Sequence, residues 1–462
     1  MISNNPFQIT FTLKQHTPII HFQHDQDDAT LRASEVKPRL DRFILTKLGA
    51  ESDQNLVGND AKYKKGIEVA KKRNWLVGDE EHAALNYKLK IKTSDFFSYP
   101  IELPRIRNNR IDLDDRGRIR FDSFSCFFGN MGDDSSKKLF TFSIKDIICQ
   151  IVSNCDDLIN YINQTNRKIL VKFFNITNFG TRQSKGFGSF CILNEKNEPE
   201  ILRSKYYLDI GIKNAKIEQL KINHNLRFPE EKVSDRFLML LDSWKQLFDH
   251  INLFHKVLKS GYNQQNGYVK SPLFKYYQEK HKIQWDKKSI KEEYFNSELN
   301  NQKHKYKYPD ILVFDNEENS SKQKSNDGNL FLVRDMLGLT SEANWRFYRS
   351  TISKYNKEID RFKSPITYKP IMLRDSEGWY YSVFLIFDDI PSEYYNQKFD
   401  IKSNNSGNLV LETPDKSKFS LQDYFAYLSS SSFSIEDLIS KENRDTNKIF
   451  EMFEMLKPQE DE

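Results

Sequence analysis

The sequence predicts an α+β fold in two halves, of which the first is a ferredoxin-like unit. The elements of the first half follow the order strand, helix, strands, helix, strand, which is the order of a βαββαβ unit. A glycine-rich segment, residues 178–190 (NFGTRQSKGFGSF), stands at the last strand. A second set of strands and helices follows from about residue 202. Units of this kind have an open sheet face and are common among RNA-binding proteins.

Hydrophobic periodicity defines the first strand and the first helix. Residues 7–13 alternate between apolar and polar side chains, as a half-buried strand does. Residues 38–48 follow Ser34 and repeat apolar side chains at helical spacing. The predicted buried side chains are Phe7, Ile9, Phe11 and Leu13 in the strand and Leu40, Ile44, Leu45 and Leu48 in the helix.

The other elements of the first half are shorter. Residues 85–91 alternate with their lysines outward, which predicts a strand. Ser143 is a suitable N-cap for a helix over residues 144–152. The apolar stripe of that helix consists of Ile144, Ile147, Ile148, Ile151 and Val152. A strand over residues 168–174 then leads into the glycine-rich segment, and a strand over residues 187–193 follows it.

The second half opens with a strand over residues 206–212 and a long amphipathic helix over residues 234–258. Seven apolar side chains of this helix are predicted to face inward, namely Phe237, Leu241, Trp244, Leu247, Phe248, Ile251 and Phe254. Strands are predicted over residues 365–373 and 379–387. One amphipathic helix is predicted within residues 434–462, through Ile449, Phe450, Phe453 and Leu456.

Two segments of the second half have an unusual composition. Residues 256–308 carry 12 Lys against 5 Asp+Glu, interleaved with aromatic residues. Such a surface can follow a phosphate backbone and stack bases, although the aromatic core of a solvated helical pair would show the same pattern. Residues 315–329 are polar and lack aliphatic side chains, which predicts a mobile loop. The predicted domains are residues 1–200 and 201–462, the second with that loop and a basic helical insertion at about 231–310.

Bulk composition excludes several classes of protein. The 462 residues include 70 Lys+Arg and 65 Asp+Glu, and a net charge of +5 means that any contact with a polyanion needs local clustering of cations. The four cysteines contain no Cys-x-x-Cys pair, which argues against a disulfide framework or a zinc site. Neither a cationic-apolar leader nor an apolar run of about 20 residues is visible. We expect a cytoplasmic protein without a membrane partner, metal or cofactor.

The glycine-rich segment is the most informative feature for function. Gly180, Gly186 and Gly188 allow positive φ and close approach of a polyanion to the backbone. Successive exposed amides beside Arg182 and Lys185 would form a concave site for phosphate, whereas an ordinary β-hairpin would use the same glycines in its turn. The order of residues excludes an ATPase phosphate loop, because Lys185 precedes Gly186, and it does not complete a dinucleotide-binding fingerprint.

Several segments resemble a known family. Residues 12–20 (TLKQHTPII) and 29–40 (ATLRASEVKPRL) resemble the N-terminal signature of the RAMP superfamily of CRISPR-associated proteins, in which a strand ends in Thr-Pro and a Leu-Arg-x-Ser-x-Lys stretch opens the first helix. Residues 180–188 are similar to the glycine-rich loop of that superfamily. Residues 334–339 (RDMLGL) and 361–366 (RFKSPI) resemble the branch formed by the first subunit of the type III-B Cmr effector complex.

The resemblance implies two tandem ferredoxin-like (RRM-like) domains with helical and loop insertions. It implies a non-catalytic RNA-binding subunit of a type III CRISPR-Cas effector complex in antiviral defence, with guide RNA, target RNA and other effector subunits as partners. The RNA-binding residues that it implies are Arg32, Lys37, Arg39 and Arg42 near the first helix, Gly180, Arg182, Lys185, Gly186 and Gly188 in the loop, and Arg361, Lys363 and Ser364 in the second half. Phosphate contacts would supply affinity and register, and guide–target pairing would supply sequence specificity.

Three other functions stay open. Some RAMP proteins are metal-independent endoribonucleases that process guide-RNA precursors, and His16, His21 or His24 would then supply the general base or acid. Against this role, the glycine-rich loop of those nucleases lies near the C-terminus, whereas here it lies mid-chain. Residues 129–134 (GNMGDD) resemble a Gly-Gly-Asp-Asp turn that holds two metals, but a methionine interrupts the glycines. A pure interaction protein would bind RNA weakly, and moderate salt would abolish that binding.

Overall fold

The computed structural model describes the chain in segments. These are residues 5–20, 30–77, 83–94, 96–100, 103–104, 106–107, 110–111, 113, 121–122, 139–164, 168–202, 205–212, 235–264, 267–282, 286–295, 331–339, 341–345, 350–376, 378–404 and 407–457. Helices and strands are mixed, with several small sheets. The chain divides into two compact units, the first comprising Met1–Asp249 and Tyr368–Ile386 and the second comprising His250–Thr367 and Phe387–Glu462.

The regular elements of the described segments are as follows. The helices are α1 (Ala33–Ser52), α2 (Asn59–Lys72), α3 (Asp156–Asn163), α4 (Ile169–Ile176), α5 (Asp235–Ser260), α6 (Pro272–His281), α7 (Asp286–Tyr294), α8 (Leu421–Leu428) and α9 (Arg444–Glu454). The strands are β1 (Gln8–Gln15), β2 (Ile19–Ile20), β3 (Leu76–Val77), β4 (Ala84–Leu85), β5 (Lys88–Lys92), β6 (Phe96–Pro100), β7 (Leu103–Pro104), β8 (Ile106–Arg107), β9 (Arg110–Ile111), β10 (Phe121–Asp122), β11 (Leu139–Ser143), β12 (Ile147–Val152), β13 (Phe190–Ile192), β14 (Tyr207–Ile212), β15 (Tyr262–Gln264), β16 (Gly267–Val269), β17 (Glu342–Trp345), β18 (Ser350–Tyr355), β19 (Ile366–Arg374), β20 (Trp379–Phe387), β21 (Lys398–Lys402) and β22 (Leu409–Glu412). Among the residues described, no helix has the length and apolar character to cross a membrane.

The main sheet of the first unit has four strands in the order β13-β1-β12-β5, all paired antiparallel. Ile9, Phe11 and Leu13 of β1 are buried, as the alternation predicts, in a core that they share with helices α1, α3 and α4. The prediction for Phe7 is wrong, because this residue precedes the strand and is 48% exposed. One face of the sheet therefore carries the core of this unit.

Helix α1 begins a turn earlier than predicted. The amides of Glu35 and Val36 already donate to the carbonyl of Arg32, so the helix is established before Pro38. Pro38 then lies inside the helix, where it removes only one amide donor from the hydrogen-bond ladder. The predicted apolar face is confirmed, since Leu40, Ile44, Leu45 and Leu48 are all buried.

The predicted helix over residues 144–152 is wrong, because this segment contains strand β12. Its isoleucines fit a helical stripe, but Ile147, Cys149 and Ile151 also alternate inward while Ile148 is 48% exposed. β-branched side chains favour the pleated conformation, and pairing with both β1 and β5 fixes it. Ser143, the expected N-cap, ends strand β11 instead.

The predicted strand over residues 168–174 is also wrong, because helix α4 occupies it. The run is apolar on nearly every side, and such a helix is stable only when it is buried all round. Ile169, Leu170, Phe173 and Phe174 are accordingly all in the core. The glycine-rich segment therefore connects a helix to strand β13 rather than two strands, and an antiparallel bridge between Asn178 and Ser189 closes it.

A second sheet of the first unit has the strand order β14-β20-β19, and its three strands confirm the predictions for residues 206–212, 365–373 and 379–387. Helix α5 confirms the long amphipathic helix, with six of the predicted side chains buried, namely Leu241, Trp244, Leu247, Phe248, Ile251 and Phe254. The side chain of Phe237 lies outside the described set. Within the first unit, Trp244 packs against Phe140 and Phe142 and lies 3.2 Å from the Tyr381 hydroxyl.

The second unit contains an antiparallel sheet of four strands in the order β17-β18-β21-β22. The aromatic residues that the basic segment 256–308 contributes to this unit are mostly core residues. Tyr276 and Tyr277 of α6 are buried and pack against Tyr424 and Phe419, so they are not an open stacking surface. Helix α9 confirms the predicted C-terminal helix. The loop predicted over residues 315–329 lies outside the described residues.

Helices α1 and α2 approach so closely that glycine is required on both. A Cβ on Gly66 would lie 1.8 Å from the Leu45 carbonyl oxygen, and one on Gly49 would lie 1.8 Å from that of Lys62. We expect Gly66→Ala to destabilise the first unit by about 1–3 kcal/mol, because the helices must separate. The measurement is urea unfolding followed by circular dichroism, with Lys64→Ala on the exposed side of α2 as control. Unchanged stability would mean that the helices move apart freely.

Candidate nucleic-acid interface

The glycine loop, residues 177–189, contains three glycines with positive φ, namely Gly180, Gly186 and Gly188. Gly180 and Gly188 have φ of +78° and +66°, and a Cβ on Gly188 would lie 1.9 Å from the Phe179 carbonyl oxygen. Arg182 also has positive φ, at +60°, without being glycine. A non-glycine residue in this region costs about 1–2 kcal/mol, so the rest of the loop must hold Arg182 in place.

The segment that follows β1 holds one side of the glycine loop. The Thr17 hydroxyl donates to the Gly186 carbonyl at 2.7 Å and accepts from the Ser189 amide at 2.9 Å. The Gly188 amide donates to the Pro18 carbonyl at 2.8 Å. These bonds give the Thr-Pro sequence after the first strand a physical role, because it fixes the path of the loop.

The start of helix α1 holds the other side of the loop. The Gly180 amide donates to Glu35 Oε1 at 2.6 Å, and Arg39 Nη1 donates to the Asn178 carbonyl at 2.6 Å. The two segments that carry the resemblance therefore meet in space. The sequence predicted a row of exposed backbone amides in this loop, and that prediction is wrong for the amides that donate to acceptors within the protein. These include the amides of Phe179, Gly180, Thr181, Gly186 and Gly188.

Lys185 and Arg182 are the cations of the glycine loop. Both side chains are partly buried, and burial lowers the pKa of each. The pKa of Lys185 falls to about 8 through burial and the nearby Arg182 charge. Within the described part of the chain, no carboxylate pairs with the Lys185 ammonium group. Two poorly hydrated cations on a rigid loop would be stabilised by an anion with several oxygens, such as a phosphate.

The cations predicted on helix α1 are held by intramolecular contacts. Lys37 donates to Asp41 at 2.6 Å and lies over the Tyr87 ring. Arg42 donates to Asp60 on helix α2 at 2.7 Å. Arg32 is the N-cap residue of the helix and is half-buried. Of these four cations, Arg39 is the one with a hydrogen bond to the glycine loop among the bonds given for the described residues.

The three residues predicted in the second half lie in the second unit. Arg361 is 82% exposed beside the equally exposed Asp360. Lys363 donates to Asp388 at 2.9 Å, and the Ser364 hydroxyl accepts from the Ile366 amide. Arg361 therefore presents its charge to solvent, whereas Ser364 caps the start of strand β19.

His16 lies in the core of the first unit. Its Nδ1 accepts from the Met372 amide at 3.1 Å, and its backbone carbonyl accepts from the Tyr381 hydroxyl. Burial, with the charges of Lys14 and Lys369, holds the His16 pKa well below its usual value. A neutral, enclosed imidazole cannot reach a substrate hydroxyl, so the catalytic role considered for His16 is contradicted by its position. His21, His24 and residues 129–134 lie outside the described residues.

Sequence reasoning missed Lys369, which is fully buried on strand β19. Its ammonium group donates to the carbonyls of Thr177 and Phe190, at 2.9 and 2.8 Å, on both sides of the glycine loop. Burial, together with the Arg39 charge, lowers its pKa to about 7. The signal for it in the sequence was a single lysine inside an otherwise apolar strand.

The glycine loop is fixed between the first strand and the first helix of an antiparallel α+β unit, and these are the segments in which the sequence resembles the RAMP superfamily. The matches to family models carry the identification further. The Cmr1 N-terminal domain matches residues 7–262 and the Cmr1 C-terminal domain matches residues 268–457. The chain belongs to the Cmr1 family, which confirms the resemblance to the first subunit of the type III-B Cmr complex.

The sequence and the structure were also compared with curated proteins and with solved structures. No curated protein matches the sequence. One solved structure, described as the type III-B Cmr-beta complex bound to cognate target RNA, contains a similar chain with a TM-score of 0.35 and 10% identity, covering 84% of this chain and 97% of that one.

Proposed function

We propose that this chain is a non-catalytic RNA-binding subunit of a type III-B CRISPR effector complex, with the glycine loop on the RNA backbone. The observation that carries this proposal is the pair of partly buried cations, Arg182 and Lys185, on a loop fixed from both sides. Membership of the Cmr1 family supports other effector subunits, guide RNA and target RNA as partners. A cytoplasmic location and the absence of a cofactor are parts of the same proposal.

We also propose that the two sheets of the first unit are tandem ferredoxin-like sheets. The order β13-β1-β12-β5 is the antiparallel order 4-1-3-2 of a βαββαβ unit. In the second sheet, β14, β19 and β20 follow the order 1-3-2, with helix α5 between the first two strands in sequence. The predicted domain boundary at residue 200 stays a prediction.

The test of the proposed function is RNA affinity in the absence of cleavage. We expect Arg182→Ala with Lys185→Ala to weaken binding of a guide-length single-stranded RNA about 100-fold or more, since each charge-assisted contact contributes about 1.5–3 kcal/mol. Fluorescence anisotropy at fixed salt measures the affinity. Lys64→Ala with Lys71→Ala on helix α2 removes the same charge as control. Equal loss in both variants would refute the loop as the site, and cleavage of a guide-precursor hairpin without metal would support the nuclease alternative.

The lowered pKa of Lys185 makes RNA affinity depend on pH. Because phosphate favours the protonated amine, binding must take up a proton once the pH exceeds the pKa of about 8 in the free protein. Affinity for an adenylate 15-mer should therefore fall about tenfold from pH 7 to pH 9. Lys185→Arg keeps its charge over this range and should flatten the profile. An unchanged profile in Lys185→Arg would assign the pH dependence to another group.

A further inference from the structure

The main sheet of the first unit has a second face, opposite the core. Exposed or half-buried side chains on this face align across three strands, since Lys88, Lys90 and Lys92 of β5 pair in register with β12 and through it with β1. The three rows are Lys88–Val152–Gln8, Lys90–Gln150–Thr10 and Lys92–Ile148–Thr12. The face is therefore an uncharged floor of Thr, Gln, Val and Ile, edged by lysines.

The lysines form a regular row on the edge strand β5. They alternate with the buried Leu89 and stand about 6.8 Å apart, two residues of strand. In the described part of the chain, none of the three pairs with a carboxylate. Lysines on an edge strand also prevent sheet-to-sheet association, so their position alone does not identify a ligand.

A partly exposed tryptophan stands at the other side of this face. Lys14, the next outward residue of β1 after Thr12, has its ammonium group 5.9 Å from the centre of the Trp379 ring. The Arg374 guanidinium lies 5.5 Å from the same ring. Trp379 begins strand β20 and Arg374 ends strand β19, so the aromatic ring lies beside the turn of a hairpin. Asp146 is the acidic residue that interacts electrostatically with Lys14.

We propose that this sheet face, from the β5 lysines to Trp379, is a second RNA-contact surface that takes an unpaired segment of RNA. Phosphates lie along Lys88, Lys90 and Lys92, and a base stacks on Trp379 after the flexible Lys14 side chain moves aside. A lysine row with an aromatic platform is the combination that single-stranded nucleic acid requires. A duplex would offer no open base to the ring. This inference rests on the proposed function only in taking RNA as the ligand. None of the residues of the sheet face belongs to the glycine loop.

The test compares variants of the full chain for binding to fluorescein-labelled U15. Lys88, Lys90 and Lys92 changed together to Ser should weaken binding at least tenfold and reduce the salt slope by about 2. Trp379→Ala should weaken U15 binding about tenfold. Trp379→Phe keeps an aromatic ring and should weaken binding less than Trp379→Ala does. Lys64, Lys71 and Lys72 on helix α2 changed together to Ser are the charge-matched control. Binding of U15 should also quench tryptophan fluorescence in the wild type and less in Trp379→Phe.

The outcomes separate this surface from the glycine loop. Full U15 affinity in both sheet-face variants, with loss in the Arg182/Lys185 double variant, would overturn the surface and leave the proposed function intact. Loss in the sheet-face variants alone would support the surface and overturn the loop. If the lysine triple variant no longer binds poly-glutamate but binds U15 with wild-type affinity, the face is a site for an acidic protein and the inference fails.

Discussion

Asp286→Ala is expected to destabilise the second unit by about 3–5 kcal/mol, because it leaves the Arg334 guanidinium buried without a counter-charge. Arg334 Nε and Nη2 donate to both Asp286 oxygens, at 2.5–3.0 Å, and the side chains are only 15% and 4% exposed. Burial acts to raise the Asp286 pKa, but the Arg334 charge and hydrogen bonds outweigh it and hold the pKa below its usual value. Urea unfolding above and below pH 4 measures the effect.

Two control variants test whether the effect comes from the buried charge. Asp360→Ala removes a carboxylate of the same unit that is 83% exposed, and it should change stability by less than about 0.5 kcal/mol. Asp286→Leu with Arg334→Met replaces both charges by apolar side chains and should be close to neutral. The pair stabilises the fold above the unfolded carboxyl pKa, and this contribution is lost as the pH falls through the lower folded value. An Asp286→Ala variant as stable as the wild type would show that water reaches the Asp286–Arg334 pair.

Gly188→Ala is expected to destabilise the first unit by about 2–5 kcal/mol. The new Cβ would lie 1.9 Å from the Phe179 carbonyl oxygen, and the residue would keep a φ of +66° that L-amino acids disfavour. The loop cannot move aside, because the Gly188 amide is bonded to Pro18 and its carbonyl accepts from Phe179. Thermal unfolding and RNA affinity should both decline.

Gly211→Ala is the matched control for this prediction. Gly211 lies in strand β14 of the same unit, its φ is not positive, and a Cβ there has open space. We expect no loss of stability for this variant. If Gly188→Ala behaved in the same way, the glycine loop would have to be more plastic than its hydrogen bonds indicate.

Elements with one clear period were predictable from the sequence. Strand β1 and helices α1 and α5 each have a single apolar face whose period fits only one structure. The apolar residues of 144–152 and 168–174 fit both a helical and a strand period. Pairing with β1 makes the first segment a strand, and burial on nearly all sides makes the second a helix. These deciding contacts come from distant parts of the chain, so local pattern could not supply them.

The candidate site was predictable in its location but not in its construction. Three glycines and two cations identified the loop, but the Thr17-Pro18 sequence gave no sign by itself that it bonds to this loop. The roles of Thr17, Glu35 and Lys369 depend on partners up to about 190 residues away. Lys37 and Arg39 stay predicted RNA contacts. Lys37 pairs with Asp41 four residues further along the same helix, a spacing visible in the sequence. The bond from Arg39 to the Asn178 carbonyl has no local signal.

The hydrogen bonds of Lys369 have a consequence for biosynthesis. Strand β19 supplies the ammonium group that joins Thr177 to Phe190, and the first unit contains Tyr368–Ile386. A ribosome therefore releases most of the chain before the glycine loop can acquire its last supports. Until then its apolar surroundings are incompletely covered, a state in which nascent chains aggregate or bind chaperones. Under the proposed function, the loop would bind RNA only after Tyr368–Ile386 has been synthesised and packed into the first unit.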